Sequence, residues 1–333
     1  MGSILVSIGT VTIIFFISHV LNPDPARLWA GPKARPSTIL AVAARYHLNE
    51  PLYSQYYYFM RDLFTGNFGI DPLTGQSILS ELRFYIPNTL ELVLFSFLIL
   101  VIVGVAVGYF AGMHFSTLGD SFARVAYLVS WSTPMYLAAI VAILVFANYV
   151  PIFPSGGMYS LSISPPQTVT GIFLIDALIG LNMPAFVSGL QHLILPALAL
   201  AFVNFGLISR AVRSSILNVR WSTYVKTARA KGLSEADVRR KHILRNALID
   251  ATSLSAVIFG WVLTSTLVVE ELFAWPGLGY FAYEAIFSSD YPVLIPIVVV
   301  FTLGVIIANF IADVAYSMLD PRIALGGHTG AVT

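Results

Sequence analysis

The sequence predicts an all-α membrane protein with six transmembrane helices, and three observations carry that prediction. Of the 333 residues, 57% are hydrophobic and 11% are charged, with a mean hydropathy of +0.80, whereas soluble domains carry roughly 25% charged residues. Six stretches approach the roughly 20 apolar residues that a helix needs to cross a bilayer. Ten of the eighteen Lys and Arg residues fall between Arg210 and Arg245. A soluble enzyme domain does not fit into what remains.

The six predicted spans are separated by loops of unequal charge. The loops after the third and fifth spans, 151–192 and 273–292, contain no Lys or Arg, whereas the loop after the fourth span holds the basic cluster. Because Lys and Arg are retained on the cytoplasmic side during insertion, this pattern puts the basic loop and both termini in the cytoplasm. The predicted spans are 4–21, 89–112, 125–150, 193–212, 249–272 and 293–319.

The amino terminus supplies no orienting charge of its own. The first 26 residues contain no Lys or Arg, so either the later basic loop sets the orientation or the start is truncated. A signal peptide is not expected, because a charged n-region and a nearby small-residue cleavage site are missing. Residues 22–86 then form an external segment. The apolar stretch 168–181 is too short to span, and we expect an interfacial or re-entrant piece there.

The basic loop is expected to fold as a helix, a sharp turn and a second helix. Ser222 can cap the first helix, which ends at Gly232 because glycine tolerates the left-handed conformation of a helix terminus. Ser234 and Asp237 fit the capping pattern that begins a second helix, running toward the fifth span. One face of the first helix is expected to present small side chains at its centre to a partner, and its members are Tyr224, Thr227, Ala228 and Lys231.

This loop resembles the cytoplasmic coupling loop of binding-protein-dependent ABC importers. Their motif begins Glu-Ala-Ala and has a glycine four residues after the second alanine. Lys226-Thr-Ala228 and Gly232 stand in register with it, and the second alanine and the glycine match literally. His242 and Arg245 stand where the motif favours isoleucine and proline. The surrounding residues resemble the form found in the dipeptide, oligopeptide and nickel permease family.

Further segments similar to that family follow in the same order along most of the chain. They are Asn22-Pro-Asp-Pro-Ala26, Pro87-Asn-Thr-Leu-Glu-Leu92, His192-Leu-Ile-Leu-Pro-Ala197, Val269-Glu-Glu-Leu-Phe-Ala-Trp-Pro-Gly-Leu-Gly279 and Leu319-Asp-Pro-Arg322. The resemblance implies three regions. Residues 1–86 hold the first transmembrane helix and the external segment, 87–320 form the permease core with its coupling loop at about 213–248, and 321–333 form a cytoplasmic tail.

The resemblance also implies the partners of this chain in the plasma membrane. An extracytoplasmic binding protein would deliver solute, a second homologous permease subunit would complete the path, and two ATP-binding subunits would supply energy. The chain lacks a Gly-x-x-x-x-Gly-Lys-Ser/Thr phosphate loop, so ATP and Mg would be bound by the partners and no cofactor is expected here. The residues expected to couple to the ATPase are Tyr224, Thr227, Ala228, Lys231, Gly232, Ser234 and Arg239.

The solute stays open between peptide, which we favour, oligosaccharide and nickel complexes. Glu91 is expected either to be stabilised by the dipole of its own helix or to contact solute. Glu270 and Glu271 would line the mouth of the path or sit in water at the interface, with Trp275 as an anchor. These four residues are the candidate path or outer gate. Near the cytoplasmic end of the sixth span, Asn309 and Asp313 are expected to pair with Arg210 or Arg213.

Several other functions are disfavoured by what the sequence lacks. The six histidines show no His-Glu-x-x-His spacing and there is no cysteine, so we expect no metal site. An intramembrane hydrolase would need a nucleophile and a base within the spans, and no credible pair occurs, so no catalytic residue is expected. The rival hypothesis is a secondary transporter driven by an ion gradient. That class needs buried ionisable residues near mid-membrane, and the middles of the six spans contain almost none.

Overall fold

The computed structural model describes residues 2–19, 24–31, 34–288 and 290–319, and no β-strand occurs within these ranges. The predicted tail 321–333 and part of the segments at 22–26 and 319–322 lie outside the described residues. Within the described ranges the chain forms fourteen α-helices. They are α1 (Gly2–His19), α2 (Pro25–Trp29), α3 (Pro36–Arg45), α4 (Leu52–Thr65), α5 (Ile78–Met113), α6 (Leu118–Ser132), α7 (Met135–Ile143), α8 (Phe173–Ile179), α9 (Met183–Arg220), α10 (Thr223–Ala230), α11 (Glu235–Asp237), α12 (Arg245–Leu272), α13 (Leu278–Phe287) and α14 (Tyr291–Leu319).

Three of these helices are long and apolar enough to cross a bilayer, and a fourth crossing is possible as a bent pair. The three are α5, α9 and α14. The helices α6 and α7 pass the same test only together, and they bend by 105° at their break. The predicted spans 4–21 and 249–272 overlap α1 and α12, which do not meet that measure over the described residues. Six crossings therefore stay a prediction, whereas the all-helical fold is confirmed.

The bend between α6 and α7 has a local cause at Pro134. The residue before a proline is pushed out of the helical region by the proline ring, and Thr133 is extended with φ −83° and ψ 122°. Pro134 then precedes the first residue of α7 with φ −60°. After Ile143 the chain continues as a π-helix over Leu144–Tyr149. The predicted third span is thus broken in its middle.

The chain divides into two compact units, each assembled from separate stretches of sequence. The first comprises Met1–Glu91, Gly156–His192 and Thr266–Ile306. Its core joins the start of α5 to α13 and α14 through buried apolar side chains, among them Ile78, Leu82, Leu278, Phe281, Val293 and Ile297. A second cluster of the same unit packs Trp29 and Val42 of the external segment against Ile295 of α14.

The second unit comprises Leu92–Ser155, Leu193–Ser265 and the described residues from Ile307. Here α5 and α9 approach closely because three glycines at four-residue spacing face α9. A Cβ atom added to Gly104, Gly108 or Gly112 would come within 2.8 Å of an atom of α9. Two bonds from Arg213 to Asp120, of 2.7 and 2.9 Å, tie α9 to the start of α6. Arg213 therefore pairs with Asp120. The predicted pairing of Asn309 and Asp313 with Arg210 or Arg213 stays a prediction, because the side chain of Asp313 lies outside the described ones.

Candidate functional site

The predicted coupling loop contains a short helix, a left-handed turn and a second helical segment. The helix α10 ends at Ala230 with Lys231 as its C-cap, and Gly232 follows with φ +78°. Ser234 is the N-cap of α11, and its Oγ atom accepts a hydrogen bond of 3.2 Å from the N–H of Asp237. Ser222 occupies the N-cap of α10, but its hydroxyl is buried without a hydrogen-bond partner. The cap expected from Ser222 is therefore not made.

Gly232 is required by backbone conformation and not by crowding. A positive φ of this size is unfavourable for residues with a Cβ atom, at a cost of roughly 1–2 kcal/mol. A Cβ atom added at Gly232 would meet nothing within 4 Å in this chain. The N–H of Gly232 donates to the carbonyl of Arg229 over 2.9 Å. The position is thus a left-handed turn that suits glycine and has open space in front of it.

The two sides of α10 face different surroundings. Val225 and Ala228 are buried against the rest of this chain, with Ala228 only 5% exposed. Tyr224, Thr227 and Lys231 are exposed. Successive residues of a helix are rotated by about 100°, so Ala228 falls on the inner side although it is adjacent to Thr227. The expectation that Ala228 contacts a partner does not agree with its burial, and its role here is to let α10 pack closely.

Ion pairs brace the turn between α10 and the second helical segment. The guanidinium of Arg229 donates to Glu235 over 2.8 Å and holds the pKa of that carboxyl below its usual range. Lys241 lies 2.8 Å from Asp237 and lowers the pKa of Asp237 in the same way. Arg239 approaches Glu235 at 3.9 Å. These pairs are exposed, so each stabilises the loop only slightly.

The second helical segment leads without interruption into α12. Beyond α11 the chain forms a π-helix over Val238–Leu244, and α12 begins at Arg245. Val238 and Ile243 of the π-helix are fully buried. π-Helical turns are rare in proteins, and those that occur often lie at functional sites. The predicted coupling loop is therefore followed by a segment that apolar side chains hold against the rest of the chain.

Glu270 holds the start of α13. Its Oε2 atom accepts hydrogen bonds from the N–H groups of Gly279, at 2.6 Å, and Tyr280, at 3.3 Å. The residue is fully buried, and a Cβ atom on Gly277 would collide with its carboxylate. A carboxylate at a helix amino terminus is favoured by the unpaired N–H groups there. The structure therefore gives Glu270 neither of the positions expected for it, in the mouth of a path or in water.

Trp275 belongs to the same cluster and ties it to α5. Its Nε1 group donates to the carbonyl of Asn88 over 3.0 Å, and the Asn88 amide donates to the carbonyl of Pro276 over 2.8 Å. The N–H of Leu278 donates to the hydroxyl of Thr89 over 2.7 Å. Trp275 is 1% exposed, so it is not the interfacial anchor that was expected. Glu271 is half-buried, and no hydrogen bond reaches its Oε2 atom.

Glu91 caps a different helix from the one that carries it. Its two carboxylate oxygens accept hydrogen bonds from the N–H groups of Phe173, at 3.1 Å, and Leu174, at 2.8 Å. These are the first residues of α8, which occupies the stretch expected to be interfacial or re-entrant. The turn before α8 is held in turn by Asp176, which accepts from the N–H groups of Thr170 and Gly171. Glu91 thus fits neither the dipole of its own helix nor an open solute site.

Sequence reasoning passed over Asn88 and Thr89 as functional residues. Both lie in the segment Pro87-Asn-Thr-Leu-Glu-Leu92, and both are buried. Their position could have revealed them: two polar side chains follow a proline in an apolar stretch, and polar groups in a bilayer need hydrogen-bond partners. Among the described residues, no group of three or more His, Asp or Glu side chains could hold a metal ion.

Comparison with known proteins places these features in a family. Residues 104–325 match the sequence profile described as "Binding-protein-dependent transport system inner membrane component". Residues 1–74 match the amino-terminal profile of such membrane components. The two matches cover the predicted coupling loop, Glu270, Trp275 and the first part of the external segment.

Relatives align with this chain over nearly its whole length. It is 36% identical to the probable D,D-dipeptide transport system permease protein DdpB of Escherichia coli K12, over 98% of this chain and 96% of that protein. It is 34% identical to the dipeptide transport system permease protein DppB of Alkalihalophilus pseudofirmus, over 96% and 95%. It is 30% identical to the glutathione transport system permease protein GsiC of E. coli K12, over 93% and 92%. The chain therefore belongs to the family of inner-membrane permease components of binding-protein-dependent transport systems.

Proposed function

We propose that this chain is one of two permease subunits of an ATP-driven peptide importer of the plasma membrane. It would cross the membrane six times, with both termini in the cytoplasm, and would form half of the path. Two separate subunits would bind ATP and Mg and dock on the coupling loop. The observation that carries the proposal is the exposed face of α10, which ends at a glycine with open space in front of it.

The loop has the properties of a rigid lever. Its outer face presents Tyr224, Thr227 and Lys231 to a partner, whereas Val225 and Ala228 fix its inner face to the chain. Only Trp221 and Ser222 separate the end of α9 from the start of α10. On the other side, the helical path from Glu235 into α12 is unbroken. A displacement of α10 by a partner would therefore reach both long helices.

The energy source distinguishes this proposal from a secondary transporter driven by an ion gradient. An ion-coupled transporter uses buried ionisable groups that can change their partners. The two most buried glutamates, Glu91 and Glu270, are engaged by backbone N–H groups at helix starts. This engagement disfavours the rival. Uptake into vesicles that follows ATP and not a proton or sodium gradient is the result that we expect.

The proposed solute class rests on the names of the relatives and not on a solute-binding site in the structure. The three relatives named above carry D,D-dipeptide, dipeptide or glutathione transport in their names. Peptides are therefore favoured over oligosaccharides and nickel complexes. Identification of the ligand that co-purifies with the cognate binding protein tests this part directly. A sugar or a metal complex in that protein would contradict it.

Substitution at Gly232 tests the coupling role, and Gly75 provides a matched control. Both glycines have positive φ, +78° and +72°, and at both a Cβ atom would meet nothing within 4 Å. Gly232→Asp places a bulky charge where a partner must dock, whereas Gly75→Asp carries the same backbone strain in the external segment. We expect ATP-driven uptake to fall by roughly 5- to 150-fold in Gly232→Asp alone, the usual range of a coupling free energy.

Insertion and assembly must be measured beside uptake. Gly232→Asp should reach the membrane in normal amount and should lose ATPase subunits in mild detergent. Normal uptake by this variant, or an equal loss in Gly75→Asp, would count against the coupling role.

A further inference from the structure

The helix α4 of the external segment has two unlike faces. Tyr56 and Phe59 face α1, whereas Tyr53, Tyr57 and Phe64 are 79%, 64% and 79% exposed. The spacings of four and seven residues put these three aromatic rings on one side of the helix. Such a concentration of exposed aromatic side chains needs an explanation, because water is an unfavourable environment for them.

The inner face shows at which height α4 lies along α1. The Tyr56 Oη and Thr12 Oγ1 atoms are 2.8 Å apart, and the ring centroids of Tyr56 and Phe15 are 5.0 Å apart. Three residues further on, Phe59 lies 5.3 Å from Phe15 and 5.9 Å from His19. Both helices therefore advance in the same direction, side by side. Thr12 lies seven residues before the end of α1, which is about 10 Å along a helix axis.

This height places part of α4 within the depth of the membrane. The 18 residues of α1 contain no Asp, Glu, Lys or Arg, and a helix of that length is about 27 Å long, close to the roughly 30 Å of the hydrocarbon core. If α1 crosses the bilayer, the first half of α4 lies beside its outer half and not above it. The face of α4 directed away from α1 then meets the surroundings that α1 meets at that depth, where Ile13, Phe16 and Ile17 are exposed.

The charged side chains near the exposed face form a neutral pair, which suits a headgroup boundary. Arg61 lies on this face, and its guanidinium donates two hydrogen bonds, of 3.0 and 2.8 Å, to Asp62. The same guanidinium stacks on the ring of Tyr58 at 4.8 Å. The pair carries no net charge, and tyrosine is enriched where an apolar region borders water.

We propose that the face of α4 formed by Tyr53, Tyr57 and Phe64 rests in the outer leaflet, at the boundary between lipid headgroups and acyl chains. The alternative occupant is the extracytoplasmic binding protein, which would meet this face only if it stood above the membrane. The inference depends on insertion of α1 and not on ATP coupling, so it can fail while the proposed transport function stands.

Spin labelling tests this placement, because the chain has no cysteine. Single cysteines replace Tyr53, Tyr57 or Phe64 in the complete importer, reconstituted in phospholipid nanodiscs. Ile13→Cys on α1 serves as the lipid reference, and Gln76→Cys in the exposed external turn serves as the water reference. Collision rates of each label are measured with oxygen, which partitions into lipid, and with a water-soluble nickel chelate.

We expect a several-fold higher ratio of oxygen to nickel collisions at positions 53 and 57 than at position 76, with position 64 between them. A ratio equal to that of position 76 would overturn the proposal, and so would a water-like ratio at Ile13→Cys. Immobilised labels shielded from both reagents would mean that protein covers the face. A change of the spectra at positions 53 and 57 on addition of the binding protein would also contradict it.

Discussion

Glu91 and Glu270 each accept hydrogen bonds from two successive backbone N–H groups at the start of a short helix. At the scale of single residues, this arrangement explains why two carboxylates are tolerated in an apolar environment, since a buried charge needs several partners. The sequence identified both residues as unusual but could not identify what they bind. The partner of Glu91 lies 82 residues away along the chain, and only the folded chain brings the two together.

Removal of the Glu91 carboxylate should destabilise the protein. Glu91→Ala leaves the N–H groups of Phe173 and Leu174 without an acceptor, at a cost of about 1–3 kcal/mol for each buried group. Glu91→Gln keeps one acceptor and should cost less. Thermal unfolding of the purified protein in detergent checks the order wild type, Gln, Ala. An unchanged melting temperature in Glu91→Ala would show that these bonds contribute nothing.

Asp290 should make stability depend on pH. Burial, a hydrogen bond with Asp71 and the negative charges of Asp71 and Glu81 raise the pKa of Asp290 from 3.8 to about 7. The folded state therefore keeps this proton over a range in which the unfolded chain has released it. The resulting stabilisation is fully present below about pH 4 and is lost as the pH rises through about 7.

The substitution Asp290→Asn removes this titration. We expect the melting temperature of the wild type to fall between pH 5 and pH 8, and the variant to lose most of that slope. Glu284→Gln, which removes an exposed carboxyl from the neighbouring helix α13, should keep the slope. Parallel curves for wild type and Asp290→Asn would be inconsistent with a proton shared at this site.

At the scale of helices, the sequence predicts the long apolar elements well and the short ones poorly. An apolar stretch of sufficient length specifies a helix by itself, which is why α5, α9 and α14 each contain one of the predicted spans. The helix α13 lies within the predicted loop 273–292, although Leu278, Phe281, Ala282 and Ala285 form a buried helical stripe. Its start is fixed by Glu270 and Thr89, and such distant caps cannot be read from local periodicity.

The inner side of α10 illustrates a second limit. The sequence predicts the helix and its glycine end, and both occur. It does not specify which side of a short helix packs inward, because two small residues at Thr227 and Ala228 permit either rotation. Val225 is buried, and Ala228, three residues further along the helix, lies on the same buried side.

Close packing of α5 on α9 should depend on Gly108. A Cβ atom at this position would lie 2.5 Å from the carbonyl oxygen of Ser209, and a backbone atom cannot move aside without separating the helices. Gly108→Ala should therefore cost about 1–3 kcal/mol, as is usual for overpacking. The comparison variant is Gly119→Ala, where the nearest atoms belong to the ring of Phe110 at 3.0 Å. An equal fall in melting temperature for both variants would argue against the glycine contact.

At the scale of the whole molecule, the distribution of positive charge predicts which loops face the cytoplasm. Impermeant maleimide can test this with single cysteines at Thr227 and Gln76, because the chain has none of its own. In intact cells whose outer layers admit the reagent, we expect labelling of Gln76→Cys only, and labelling of Thr227→Cys only after the membrane is opened. The reverse pattern would invert the topology and move the coupling loop away from any cytoplasmic ATPase.

The hydrogen bonds around Trp275 restrict how the protein can move. They run from Trp275 to Asn88, from Asn88 to Pro276, and from Leu278 to Thr89, while Glu270 holds the next turn of α13. Turning the end of α12 while α5 stays still would break several of them together, at about 1 kcal/mol net for each. We therefore expect the first part of α5, the end of α12 and the first turn of α13 to move together as one body. Any bending of these two long helices would then fall beyond Thr89 in α5 and before Glu270 in α12.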